Sequence, residues 1–278
     1  GYISATYELL GEEALELWKD KNVKTYYFLG KDNIPFHTIF WPGQIIGQKE
    51  FVLPYNVVGY QYLNFEGQKF SKSKKIGIFS DQVKNSNIPL DYWRFYLTNI
   101  LPETKDTDFS VEDFQERINK ELIGNFGNFV NRTLNFIFNK FDGKVFEIFN
   151  IDKELEKEIS QRIKKIEECY EKCDLREVLQ EILKLSDLGN QYFNKKEPWK
   201  TNDKDCLAYC YELCRILSLL FSPIIPDSSE KLKILLNTDN KELEINRREK
   251  TINKPEILFK KLENEDLEEF KLNTKKSP

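Results

Sequence analysis

Lys69-Phe70-Ser71-Lys72-Ser73, preceded by the turn residues Asn64-Phe65-Glu66-Gly67 and followed by Lys74-Lys75, is the stretch on which the reading of this chain depends. It sets two ammonium groups and two small hydroxyls within five residues, directly after a glycine-containing turn. Backbone of that kind can approach a phosphate closely, and its lysines can neutralise charge developing on a departing polyphosphate. A solvated basic loop explains the same residues, so the surrounding sequence has to decide.

Upstream of the loop lie short apolar, aromatic and β-branched runs broken by Gly and Pro: Val23–Gly30, Ile39–Gly47 and Phe51–Tyr60. These predict buried strands and short helices of an α/β domain. Pro89 to Asn99 carries apolar residues on a helical face, with Pro89 at a first-turn position. From residue 110 onward helical periodicity takes over. Ser110-x-x-Asp113 predicts a capping box opening a helix that ends near Asn139. Leu155, Ile159, Ile163, Ile166, Tyr170 and Cys173 step by fours and threes, as a buried face does. Further helices are predicted over 175–193, over 205–221 and from Asp227, with Leu258, Phe259 and Leu262 docking a polar tail. The fold class is α/β followed by all-α, divided into residues 1–109 and an antiparallel helix bundle over 110–278.

Composition narrows the function. The chain has 278 residues, a formal charge of −4, 40% hydrophobic and 32% charged residues, one histidine and no methionine. A single imidazole excludes His-rich zinc sites and mechanisms that use two histidines. No apolar run approaches the roughly 20 residues needed to cross a bilayer, and the N-terminus carries no basic-then-apolar signal segment. The expectation is a soluble, cytoplasmic protein with no membrane partner. Cys169 and Cys173, like Cys206, Cys210 and Cys214, follow four-residue spacing, which predicts packing cysteines on buried helix faces; an unrecognised metal or redox site is the alternative. Net acidity does not exclude RNA binding, which depends on local basic surface.

The context of the loop supplies a resemblance. KFSKS (69–73) is similar to the KMSKS loop of class I aminoacyl-tRNA synthetases, in the Phe form met among methionyl-tRNA synthetases. Phe28-Leu29-Gly30-Lys31-Asp32-Asn33-Ile34-Pro35-Phe36-His37-Thr38 and Trp41-Pro42-Gly43 resemble the block that precedes that loop in the same family. Asp91–Leu97, Ile100-x-Pro102-Glu103, Gly127–Arg132, Asn190-Gln191-Tyr192, Glu197-Pro198-Trp199 and Leu258–Glu263 continue the resemblance in order. Asp174-Leu175-Arg176 resembles the DALR-type helix of class I anticodon-binding domains. The ordered set is nearer to the eukaryotic type than to the bacterial one.

The resemblance implies the second half of a Rossmann-type catalytic domain with its loop-bearing linker, then an anticodon-binding bundle. It implies ATP-dependent formation of methionyl-adenylate, with Mg2+ accompanying the nucleotide, and transfer of the methionyl group to tRNA-Met. Lys72 then meets the transition-state phosphates, while Lys69, Ser71 and Ser73 order the loop. Gly30 and Asp32 hold the ATP ribose. Tyr2 and His37 line the methionine side-chain pocket, where aromatic edges suit a thioether. Asn128, Arg132 and Trp199 read the CAU anticodon; local sequence on its own favours instead a capped helix surface and a Trp that plugs the bundle, and Asn125 offers a competing register one turn earlier. Lys74-Lys75 departs from the commoner Arg-Gly after the motif.

With its one histidine at position 37 the chain holds no HIGH-type signature. That motif and the family's zinc-bearing insertion are expected ahead of Gly1, so no zinc or other metal ligand is assigned here, and the chain alone is expected to be inactive in methionine-dependent ATP–pyrophosphate exchange. The competing readings are a non-catalytic tRNA-binding module derived from a class I synthetase, and a synthetase for another aliphatic amino acid.

Overall fold

The structure, a computed structural model, describes residues 1–268 and residue 270. The chain forms two compact units, Gly1–Leu63 with Pro102–Thr107, and Asn64–Leu101 with the residues from Asp108 onward.

The first unit contains α1 (Tyr2–Leu10), α2 (Glu12–Lys19), β1 (Tyr26–Gly30), α3 (Trp41–Gln48) and β2 (Asn56–Tyr60). β1 and β2 pair in parallel, with Tyr26 opposite Asn56 and Gly30 opposite Tyr60. The strands fall inside the predicted runs, but they are not buried: β2 has no buried residue, and β1 has only Tyr27. A parallel sheet needs cover on both faces, and two strands with these few helices do not provide it. The third run, Ile39–Gly47, is helical, entering α3 from a π-helical turn over Phe36–Phe40.

The second unit begins with a small sheet of β3 (Leu63–Phe65), β4 (Gln68–Lys69) and β5 (Thr107–Phe109), in the order β4-β3-β5. Two helices precede β5: α4 (Ser80–Asn85) and α5 (Leu90–Asn99). α5 carries the Asp91–Leu97 motif, and its polar residues hold a distant turn. Arg94 donates through Nε to the Ile224 carbonyl at 2.8 Å and through Nη2 to that of Pro223 at 2.7 Å, and Asp91 accepts from the Ser228 N–H at 2.6 Å.

The helix expected from Ser110 runs as α6 (Val111–Arg117), a π-helical stretch Ile118–Gly127, and α7 (Asn128–Phe141). The capping box does not form. Ser110 makes no side-chain cap bond; Asp113 instead accepts from the Tyr96 hydroxyl at 2.8 Å and pairs with Arg117 at 2.9 Å. α8 (Lys153–Lys172) and α9 (Leu175–Lys196) are joined by Cys173 and Asp174 alone, so they fold back on one another. α10 (Pro198–Thr201), α11 (Lys204–Phe221) and α12 (Pro226–Leu236) follow. Asp152 and Asp203 cap α8 and α11 by accepting from Leu155 and Cys206 N–H groups.

α11 is the centre of the bundle and is buried almost all round. Its three cysteines therefore sit in a helix enclosed on every side rather than on one stripe. Burial pushes the Cys210 and Cys214 thiols well above the ordinary range, which keeps them protonated and inert. The tail docks as expected: β6 (Lys144–Val145) pairs with β7 (Lys250–Thr251), Phe259 and Leu262 are buried, and the Tyr92 hydroxyl donates to the Lys260 carbonyl at 2.7 Å. The order of the chain is thus α/β first and all-α after.

Candidate functional site

In the first unit an aromatic cluster gathers around His37. Its Nδ1 lies 2.9 Å from the Asn33 carbonyl, which can only accept, so Nδ1 carries the proton. In the neutral ring Nε2 is then the acceptor for the Tyr2 hydroxyl at 2.7 Å. Both ring nitrogens of His37 are thus engaged. Tyr2 meets Tyr27 and Trp41 edge-on at ring separations of 5.3 and 6.0 Å, and Trp41 donates to the Tyr27 hydroxyl at 3.0 Å. Tyr2 and His37, far apart in sequence, are brought together. Tyr2 remains 48% exposed, so the cluster is open to solvent on one side.

Gly30 ends β1 with open space where a Cβ would stand, so backbone is accessible there. Asp32 follows in the 3-10 turn Lys31–Asn33 and is exposed. It accepts a short hydrogen bond from the Tyr62 hydroxyl. That bond to a carboxylate raises the Tyr62 phenol above its ordinary pKa. Lys31 lies 4.2 Å from the centre of the Tyr62 ring and donates to Gln61 at 3.0 Å and Asp106 at 3.3 Å. Tyr62 was not legible as a site residue: it stands thirty positions from Asp32, and only the parallel pairing of β1 with β2 joins them.

The KFSKS loop belongs to the second unit. Lys69 ends β4, and Phe70 packs on Phe65 at 5.8 Å. Ser71 and Ile76 then exchange backbone hydrogen bonds at 3.0 and 2.9 Å, closing a tight loop. Within it the Ser71 and Ser73 hydroxyls are 3.3 Å apart, and the Lys74 N–H donates to Ser71 Oγ at 3.3 Å. Lys75 takes the left-handed conformation at φ 54° that lets the loop close. The serines are spent on loop shape, whereas Lys72, Lys74 and Lys75 are exposed. A phosphate-facing loop needs this division: hydroxyls that hold the backbone, and ammonium groups free to swing.

The third group lies where α7, α9 and α10 meet. The Arg132 guanidinium stands 4.3 Å above the Phe193 ring. Nη1 donates to Asn194 Oδ1 at 2.8 Å and Nη2 to the Asn190 carbonyl at 2.7 Å. Burial lowers the Arg132 pKa, though an arginine stays charged at any physiological pH. Trp199 stacks on Phe193 at 5.8 Å with 28° between planes, and is 46% exposed. Asn128 is exposed one turn before Arg132, while Asn125 is turned inward, donating to the Leu183 carbonyl and accepting from Asn190. Asn125 therefore does not compete for the outward register. Phe193 escaped the sequence reading because an apolar residue on a helical stripe reads as core, and Asn194 because an exposed polar residue on a helix reads as solvated surface.

Among the described residues no group of three or more His, Cys, Asp or Glu side chains is placed to hold a metal ion, and no helix is long and apolar enough to cross a membrane.

Residues 1–134 match the family model described as tRNA synthetases class I (M), and residues 146–275 that described as the anticodon binding domain of methionyl tRNA ligase. The chain is 42% identical to the methionine–tRNA ligase of Nanoarchaeum equitans, over 96% of this chain and 36% of the relative. It is 38% identical to that of Pyrococcus abyssi, over 98% and 42%, and 41% identical to that of Borrelia turicatae, over 98% and 39%. The chain thus spans about two fifths of the length of these relatives. In fold it is similar to the Mycobacterium tuberculosis methionyl-tRNA synthetase in complex with methionyl-adenylate, with a TM-score of 0.75 at 23% identity over 84% of this chain and 49% of that one. The family models between them account for nearly all of the sequence, in the order that the α/β unit and the bundle require, and the chain belongs to the methionyl-tRNA synthetase family.

Proposed function

We propose that the chain is the part of a methionine–tRNA ligase that supplies the ATP loop, part of the methionine pocket and the anticodon reader. The observation that carries this is Trp199, half exposed on the end of the bundle, with its ring laid on Phe193, the same ring that carries the Arg132 guanidinium. An exposed indole backed by an aromatic is a platform for an unpaired base, and a guanidinium held on the same supporting ring can meet a base edge.

In this reading residues 1–109 belong to the catalytic domain and 110–278 to the anticodon-binding domain. The methionine carboxylate attacks the α-phosphate of ATP, the bond to the β,γ-phosphates breaks, and pyrophosphate leaves. The acyl group then passes to the 3′ end of tRNA-Met with release of AMP. Such chemistry asks for positioning and charge stabilisation rather than a protein nucleophile. Lys72 neutralises the leaving phosphates, with Lys69, Ser71 and Ser73 fixing the loop around it. Gly30 gives the nucleotide access to backbone, and Asp32 accepts the ribose hydroxyls in place of the Tyr62 phenol. Tyr2 and His37 form an aromatic wall for the thioether. Mg2+ would accompany the ATP and offset phosphate charge, with no ligand assigned from this chain. The compartment of such an enzyme is the cytoplasm.

The test is binding of a short RNA hairpin with a CAU anticodon loop, against the same hairpin with those three bases replaced. The chain is expected to prefer CAU, and Trp199→Ala to reduce that preference by about 1–3 kcal/mol through lost stacking while leaving the melting midpoint unchanged. A sharp fall in melting with an unchanged anticodon preference would make Trp199 a structural plug.

A further inference from the structure

We infer that Phe193 and Asn194, consecutive residues in the last turn of α9, are positioning residues that assemble the anticodon reader without touching RNA themselves. The inference rests on the anticodon reading above. Arg132 and Trp199 come from different elements, α7 and α10, and no contact between the two is needed to place them. Both are set against α9. Phe193 is 4% exposed, carries the guanidinium at 4.3 Å and the indole at 5.8 Å, and is itself braced edge-on by Phe136 at 6.2 Å. One buried ring thereby fixes the planes of a half-buried guanidinium and a half-exposed indole.

Asn194 removes the remaining freedom. A guanidinium stacked on a ring can still rotate within its plane, and an arginine reads a base edge only when its fork points the right way. Two anchors stop that rotation, Nη1 on Asn194 Oδ1 at 2.8 Å and Nη2 on the Asn190 carbonyl at 2.7 Å. Guanidinium has five N–H groups, so one on each terminal nitrogen is left for a ligand. Nε is buried, so the two terminal nitrogens are the ones left to meet a ligand. Order imposed before binding is entropy not lost on binding. The partner this suits is a single-stranded loop with splayed bases.

The experiment measures the ratio of affinities for the CAU hairpin and the base-replaced hairpin, together with thermal melting, for the whole chain and two variants. Phe193→Leu keeps apolar volume but removes the flat face. Asn194→Ala changes an exposed side chain and leaves packing intact. Each variant is expected to lower the ratio about five-fold or more while binding the replaced hairpin as the unaltered chain does. If Phe193→Leu also lowers the melting midpoint by many degrees, Asn194→Ala decides alone. An unchanged ratio in Asn194→Ala, or an equal loss on both hairpins, overturns the inference and leaves the anticodon reading standing. Absence of any CAU preference in the unaltered chain overturns the anticodon reading, and the inference with it.

Discussion

Lys72 shows how much a single residue's meaning comes from its neighbours. On its own it is one exposed ammonium among the 42 Lys and Arg of the chain. Held in a loop pinned by the Ser71–Ile76 bonds, with the serines turned to each other, it is an exposed ammonium on a shaped loop, which in the proposed reading meets a phosphate. In the full-length protein Lys72→Ala is expected to lower turnover far more than methionine affinity, because a charge that meets only the departing phosphates contributes to the transition state and not to ground-state binding. Steady-state exchange kinetics check this, and unchanged turnover would remove Lys72 from the mechanism. The loop was legible because its chemistry is local: five residues carry both the lysines and the hydroxyls. Tyr62 and Phe193 were not. Each acts through a partner brought near by tertiary structure, and nothing at spacing three or four marks a ring that will lie under a guanidinium.

At the scale of elements, helical period located α8, α9 and α11 well, and short-range pattern did worse. The π-helical stretch between α6 and α7 has no signal in apolar spacing, since one extra residue per turn shifts the face without breaking the run. What that stretch accomplishes is visible at its end: Gly127 lies against the Phe259 ring, where a Cβ would come within 2.9 Å. The approach of α7 to α9 is as close. A Cβ on Gly189 would lie inside the van der Waals contact distance of the Phe129 ring, which is fully buried and cannot swing away. Removing a helical glycine ordinarily gains about 0.5–1 kcal/mol, whereas overpacking a rigid core costs about 1–3 kcal/mol. Gly189→Ala is therefore expected to be net destabilising by about 1–2 kcal/mol, measured by denaturant unfolding. A neutral or stabilising result would mean that α7 and α9 separate easily.

Over the whole molecule the two units differ in kind. Among the described residues of the first, only Ala14, Trp18, Tyr27 and Ile45 are buried hydrophobics, while Leu9, Ile39, Ile46, Phe36 and Phe40 are each more than half exposed. The second has a continuous core along α11 and a buried charge cluster, in which Arg215 pairs with Glu212 at 2.8 Å and Lys250 joins Glu212 at 2.6 Å. Stability follows buried apolar contact, so native-state hydrogen exchange is expected to show β1 and β2 amides opening at much lower free energy than those of α11. One shared opening energy across both would contradict this. The sequence made the order of the two folds readable, but not the poor cover of the parallel strands. An apolar run of strand length predicts burial, and which surface does the burying is not written in the run itself.

The hydrogen bond between the Tyr92 hydroxyl and Lys260 spans 168 residues, and Gln115 and Asn119 both donate to the Leu262 carbonyl. During synthesis, α5 and α6 leave the ribosome long before their partners have been translated. At about 5–20 residues per second the earlier helices wait many seconds for the segment that closes over them. The unit is thus closed by a late-made segment, and nascent chains stalled short of residue 260 should present Tyr92 and Phe126 to chaperones, while chains extended past it conceal them.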